Sequence, residues 1–255
     1  MHCLVRLRHD LFMIGNWGTT VVRAARNQSA PVTHSLITLC CLIFLVGPAS
    51  GLNPAYGTGD ELLSAQRAYF ERWGVVPVEL FSGAPRAALT PATALFVHGS
   101  WLHLLGNMLF LHVFGGMAEE RMGHIQYALF YVGCGCLALL GYAAAHADSG
   151  HTLVGASGAI SAVLGAFLYL FPKARVTSLF PFLFFLPLRF PAWVVLPFWV
   201  SLQWLAATRE TPGPGVAYLA HLLGFSFGFG YAWVRYRWTA TVKSPAKATE
   251  GENQP

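Results

Sequence analysis

The sequence predicts an all-α membrane protein, a bundle of six transmembrane helices, on three observations. Its 255 residues are 55% hydrophobic and only 11% charged, too little polar surface to clothe a soluble globule of that length. The apolar residues fall in long blocks and not in an alternating or amphipathic pattern, which makes hydrocarbon their neighbour. The basic residues sit in the tails and in the short connections between those blocks.

Taken in order, the predicted spans are residues 34–52, 100–117, 125–145, 152–171, 191–208 and 215–238, each near the ~20 residues that cross a bilayer. Some thirty residues precede the first block, and Gly51-Leu52-Asn53 does not form a cleavage site, so this block reads as an anchor and not a leader. The one long connection, 53–97, contains an amphipathic stretch at 61–73 with Leu62, Leu63, Ala65, Tyr69, Phe70 and Trp73, the pattern of a helix lying in the outer interface. Segment 177–189 carries Pro181 and Pro187 in an apolar run ending at Arg189, and is expected to be a membrane-hugging loop. The tails, 1–33 and 239–255, read as solvated ends flanking a single membrane domain, 34–238.

A net charge of +5 has the sign that attracts nucleic acid, but no basic cluster is dense enough to form a groove, and no nucleic acid is predicted to bind. Orientation accounts for the charge. With the amino terminus in the cytoplasm, only Arg67, Arg72, Arg86 and Arg209 of the sixteen basic residues lie outside. The short loop holding Lys173 and Arg175, set against the loop around Asp148 with neither Lys nor Arg, points the same way. Both termini are therefore expected in the cytoplasm, and the setting is read as a bacterial plasma membrane. Cys40, Cys41, Cys134 and Cys136 fall within spans and Cys3 in the tail, a distribution of small apolar packers and not of a disulfide framework.

A polar side chain within a span is costly and so marks function by default. The spans hold His103, Asn107, His112, Ser157, Ser161, Ser201, Gln203, His221 and Ser226. Even-numbered spans enter from the same face, so Asn107, Ser157 and His221, five to seven residues into theirs, are expected at one depth, ~8–10 Å below the outer surface. His103 lies one turn above Asn107 on the same helix face, whereas His112 projects to the other side and reads as structural.

Ser157 lies in Gly155-Ala156-Ser157-Gly158 at the start of a span, where small neighbours leave a hydroxyl accessible and a helix amino terminus favours a developing negative charge. His221 is followed by Gly224 and Gly228, a small-residue face suited to closing on Gly158 and Ala162 and setting imidazole beside hydroxyl. Such a pair is a nucleophile with its general base. Asn107, His103 and the Ser157 backbone N–H are the candidate oxyanion donors. Asp10, Asp60 and Asp148 all lie outside the spans and there is no His-Glu-x-x-His, which leaves no intramembrane aspartyl pair and no zinc-protease motif. Glu119 and Glu120, placed after the second span, are expected to make loop and interface contacts.

On these residues the chain resembles the rhomboid intramembrane serine proteases. His98-Gly99-Ser100-Trp101-Leu102-His103-Leu104-Leu105-Gly106-Asn107 is similar to the family's second-span signature, Gly155-Ala156-Ser157-Gly158 to its nucleophile motif, Ala220-His221-Leu222-Leu223-Gly224 to its histidine motif, and Glu119-Glu120-Arg121-Met122-Gly123 to the end of its second span. The resemblance implies a six-helix rhomboid-like bundle opening outward that cleaves single-span membrane proteins within the bilayer, without metal or cofactor. It implies Ser157 and His221 as catalytic pair, Asn107, His103 and Ser157 as oxyanion hole, and His98, Gly155, Gly158, Ser161 and Gly224 as support. The family often carries an aromatic residue at the position of Ser161, and the Ser161 hydroxyl is expected to accept a hydrogen bond from the His221 ring in its stead. The rival readings are a rhomboid-like protein that binds membrane clients without cutting them and a proton-relaying transporter, the latter without the intramembrane carboxylates a relay uses. Oligomeric state is not encoded legibly.

Overall fold

The computed structural model describes residues 29–180, 186–209 and 216–237. Helix α1 (Pro31–Val46) opens on a proline, whose fixed φ and missing N–H suit a first turn. It stops short of the predicted 52 because Pro48 holds Gly47 extended (φ −75°, ψ 167°). Helix α2 (Asp60–Trp73) forms where the amphipathic stretch lies, with Asp60 and Glu61 in its first turn and Arg72 in its last, and none of its residues is buried. It is tied down by Gln66 Nε2 donating to the Pro48 carbonyl (3.1 Å) and by Thr93 Oγ1 donating to the Trp73 carbonyl (2.7 Å).

After two single-turn helices, Pro77–Leu80 and Thr90–Thr93, come five longer ones that overlap the remaining predicted spans: α3 (Trp101–Met122), α4 (His124–Ala145), α5 (Ser157–Leu170), α6 (Ala192–Ala207) and α7 (Tyr218–Tyr236). Among the described residues α3 and α4, with 22 residues each, are long and apolar enough to cross a membrane unaided. Helix α5 has 14 residues, about 21 Å of helix against ~30 Å of hydrocarbon. It tolerates this because protein is its solvent: every residue from Gly158 to Phe167 is buried. The non-helical approach to it is satisfied by protein as well. Leu153 exchanges two backbone hydrogen bonds with Val75 (2.8 and 2.9 Å), and Gly155 N–H donates to the Ala94 carbonyl (2.9 Å).

Around α5 pack α7, α4 and α3, with α7 in the most extensive contact. The seam between α5 and α7 has the predicted partners: a Cβ at Gly224 would strike the Gly158 carbonyl oxygen, and one at Gly228 the Ala162 carbonyl oxygen. Backbone therefore lies on backbone, which fixes the separation of the two helices.

Two expectations require correction. Glu119 lies within α3, not after it, and is wholly buried. Its carboxylate accepts from the Val32 and Thr33 N–H groups (2.9 and 2.8 Å) and meets His124 Nδ1 at 2.7 Å, so it caps the amino terminus of α1. Segment 177–189, expected as a membrane-hugging loop, is strand on both sides of residues 181–185, which lie outside the described residues: β1 (Arg175–Phe180) and β2 (Leu186–Pro191) form an antiparallel ribbon in register from Arg175↔Pro191 to Phe180↔Leu186. Prolines forbid helix here, yet a two-stranded ribbon leaves each strand an unpaired edge that needs no N–H donor. The four cysteines within spans are free, with Cys40 and Cys134 buried; the predicted tails and Cys3 lie outside the described residues.

Candidate active site

Ser157 is the first residue of α5, presented by a turn whose Gly155 has φ 126°, a conformation suited to glycine. Asn107 is the seventh residue of α3 and His221 the fourth of α7, so the equal five-to-seven-residue depth expected from sequence is not how the three meet. They converge because the extended approach through Leu153 and Gly155 lowers the start of α5 to their level.

Ser157 Oγ and His221 Nε2 are 2.9 Å apart, hydrogen-bonding distance. His221 is 9% exposed, enough to meet the cavity while the rest of its ring is enclosed. Its other nitrogen, Nδ1, lies 2.8 Å from Gln203 Oε1 on α6. The Trp199 ring stacks against it (centroids 6.1 Å apart, planes 29°) and Tyr218 meets it edge-on (6.2 Å, 86°).

Asn107 is buried, and its Nδ2 has no hydrogen-bond partner among the described residues. Gly99 N–H donates to His103 Nδ1 (3.4 Å), which puts the neutral ring's proton on Nε2. Both groups flank the turn before the serine: a Cβ built on Gly155 would lie 2.7 Å from His103 Nε2 and 3.8 Å from Asn107 Nδ2. Two N–H donors and the Ser157 N–H, free of any helical partner by its place in the first turn, therefore border one spot. His98 is buried behind His103, rings edge-on at 5.2 Å. Burial, with the neighbouring His103, pushes His98 down to about 4, so its ring is a neutral packing element at ordinary pH.

A cavity of about 680 Å³ connects these groups, bordered by His103, Asn107, Ser157, Trp199, Gln203 and His221. Mostly apolar walls with a few convergent polar groups suit a peptide segment better than a charged solute. No cluster of metal-ligating side chains occurs among the described residues.

Of the sequence-derived residues, Ser157, His221, Asn107, His103, Gly155 and Gly158 come together, with Gly224 and His98 immediately behind. Ser161 does not take the expected part. Its hydroxyl donates back to the Ser157 carbonyl (2.7 Å) along the helix, and the His221 nitrogen it was expected to serve is occupied by Gln203. Gln203 stood among the intramembrane polar residues, but spacing alone gave no reason to bring α6 to α7. His112 faces outward, exposed, with the His34 ring centroid at 6.3 Å.

The helical bundle thus holds a serine and a histidine in hydrogen-bonding contact beside the unpartnered Asn107 amide. The rhomboid domain model matches residues 86–238, and the chain belongs to the rhomboid family, which includes intramembrane serine proteases. It is similar to "Rhomboid protein 1, mitochondrial" of Saccharomyces cerevisiae, 37% identical over 143 residues, covering 54% of this chain and 39% of that one. It is also similar to "Putative rhomboid protease YdcA" of Bacillus subtilis, 33% identical over 79 residues (31% and 39%), and to "Rhomboid-like protein 11, chloroplastic" of Arabidopsis thaliana, 34% over 64 residues (25% and 22%). The chain thus spans at most about two-fifths of the length of these relatives. Names drawn from mitochondria and chloroplasts mean that membership fixes membrane embedding and not the compartment.

Proposed function

We propose that this protein is a serine endopeptidase that hydrolyses peptide bonds in or near the transmembrane segments of single-span membrane proteins. The observation that carries the reading is the 2.9 Å contact between Ser157 Oγ and His221 Nε2 inside a membrane bundle. On this reading Ser157 Oγ attacks the scissile carbonyl carbon as its proton passes to His221 Nε2. The oxyanion is met by Asn107 Nδ2–H, His103 Nε2–H and the Ser157 N–H. The imidazolium then protonates the departing amine, leaving an acyl ester on Ser157. A water molecule, deprotonated by the same nitrogen, releases the acid and restores the serine. The pair with its N–H donors covers every proton and charge in this scheme, so no metal or cofactor is invoked.

The domain is proposed to run over 34–238, with α1 included because Glu119 caps it. Orientation with cytoplasmic termini and an outward-opening site rests on the charge of the Lys173 and Arg175 loop and on the helix order that puts Ser157 at the opposite face. A plasma membrane of bacterial type remains the proposed setting. The test is purified protein in liposomes with tagged single-span segments, beside Ser157→Ala and His221→Ala, and labelling with a fluorophosphonate. Cleavage and labelling confined to the parent support the proposal. A well-folded parent that neither cleaves nor labels rejects it in favour of client binding without chemistry.

A further inference from the structure

We propose that Gln203 is the positioning residue for His221, its side-chain carbonyl holding the imidazole in the tautomer and orientation that proton transfer from Ser157 requires, with Trp199 walling the ring. This rests on the reading of Ser157 and His221 as nucleophile and base. The argument is a proton inventory. A neutral imidazole carries one N–H. For the Ser157 hydroxyl to donate across the 2.9 Å contact, Nε2 must be bare, and the proton must therefore sit on Nδ1. A buried N–H needs an acceptor, and Gln203 Oε1 lies 2.8 Å from Nδ1. The opposite amide orientation would aim N–H groups at Nδ1, drive the proton to Nε2 and turn the base into a donor.

The same contact gains strength as reaction proceeds. When Nε2 takes the serine proton the ring becomes cationic, and Nδ1–H donates to the carbonyl as a charge-assisted hydrogen bond. Gln203 therefore favours the transition state over the ground state. An amide does this without placing a permanent charge among membrane helices, as a carboxylate would.

Trp199 and Gln203 are four residues apart on α6 and so share one helix face, which lies against His221. The ring is consequently held from α6. Helix α5, which carries the nucleophile, offers only Ser161, whose hydroxyl is spent on the Ser157 carbonyl. Alignment of the base depends on where α6 is docked, although α6 contributes no reacting atom.

The test compares Gln203→Leu, Gln203→Met and Gln203→Glu with the parent and Ser157→Ala in liposomes, reading kcat and KM on a cleavable single-span segment, the rate of fluorophosphonate labelling of Ser157, and thermal unfolding. Leu and Met remove the acceptor and keep the bulk; Glu keeps an oxygen at the same reach. The expected result is a fall of about 10-fold or more in kcat and in labelling rate for Leu and Met, with KM within about 2-fold. Glu should stay within about 3-fold of the parent, because an acceptor is restored. If Gln203→Leu does not fold, Gln203→Met carries the comparison. A parent-like kcat in either folded acceptor-free variant, or equal losses in Met and Glu, overturns the role of Gln203 while Ser157-dependent cleavage by the parent leaves the protease reading standing. Absence of that cleavage overturns both.

Discussion

Replacing Gly224 by alanine puts a single methyl group where α7 crosses α5, three residues from His221 and opposite the residue after Ser157. The new Cβ would collide with the Gly158 carbonyl oxygen, and would also stand 3.1 Å from the Gly158 carbonyl carbon and 3.2 Å from Ser161 Cβ, both inside the 3.4 Å of ordinary contact. The collision is with backbone, so no rotamer change relieves it. The helices must part by roughly 1 Å at this level to restore van der Waals separation. The same two helices carry Ser157 Oγ and His221 Nε2, now 2.9 Å apart, so parting them is expected to stretch that contact beyond a hydrogen bond. A misplacement of ~1 Å costs on the order of 10²-fold in rate. The expected outcome is therefore a drop of about 10²-fold in kcat for cleavage in liposomes, with a smaller change in KM. Gly230 on the same helix is the control, since a Cβ there meets nothing within 4 Å. Gly230→Ala should cleave at the parent rate and be no less stable, alanine being the better helix former. A parent-like rate in Gly224→Ala, or an equal loss in Gly230→Ala, would refute the reasoning from close helix approach.

Asn107→Ala removes the unpaired buried donor beside Ser157 and should lower kcat by about 10²–10³-fold with little change in KM; a change under about 3-fold would remove it from the oxyanion hole. Glu119→Gln replaces the buried carboxylate that caps α1, so bundle stability should fall by about 3 kcal/mol while the catalytic geometry of the surviving folded fraction is preserved. Denaturation followed in detergent measures this, and an unchanged midpoint would contradict the capping role. Ser161→Ala should cleave within about 2-fold of the parent, because the lost hydroxyl serves a backbone carbonyl; a tenfold loss would return Ser161 to the ring of His221. Chelation with EDTA should leave the cleavage rate unchanged, since the proposed steps run on side-chain and backbone protons alone, and inhibition reversed by added zinc would show otherwise.

The positions of the six spans, the amphipathic helix and the small-residue faces could be read from sequence because each depends on local pattern: hydrophobic length, a 3.6-residue period, and glycine at four-residue spacing. The motifs around Asn107, Ser157 and His221 could be read for the same reason, since polar residues in hydrocarbon stand out by cost alone. Tertiary structure decided the rest. Helix α5 could begin at Ser157, well short of a full crossing, only because Val75 and Ala94, some sixty to eighty residues earlier, supply the partners its extended approach needs. Glu119 became a cap only once the start of α1 was brought to it, and the ring of His221 found its acceptor on Gln203 instead of Ser161 only once α6 was docked. A one-dimensional pattern records what each residue costs in lipid; which partner removes that cost is settled by packing between segments distant along the chain.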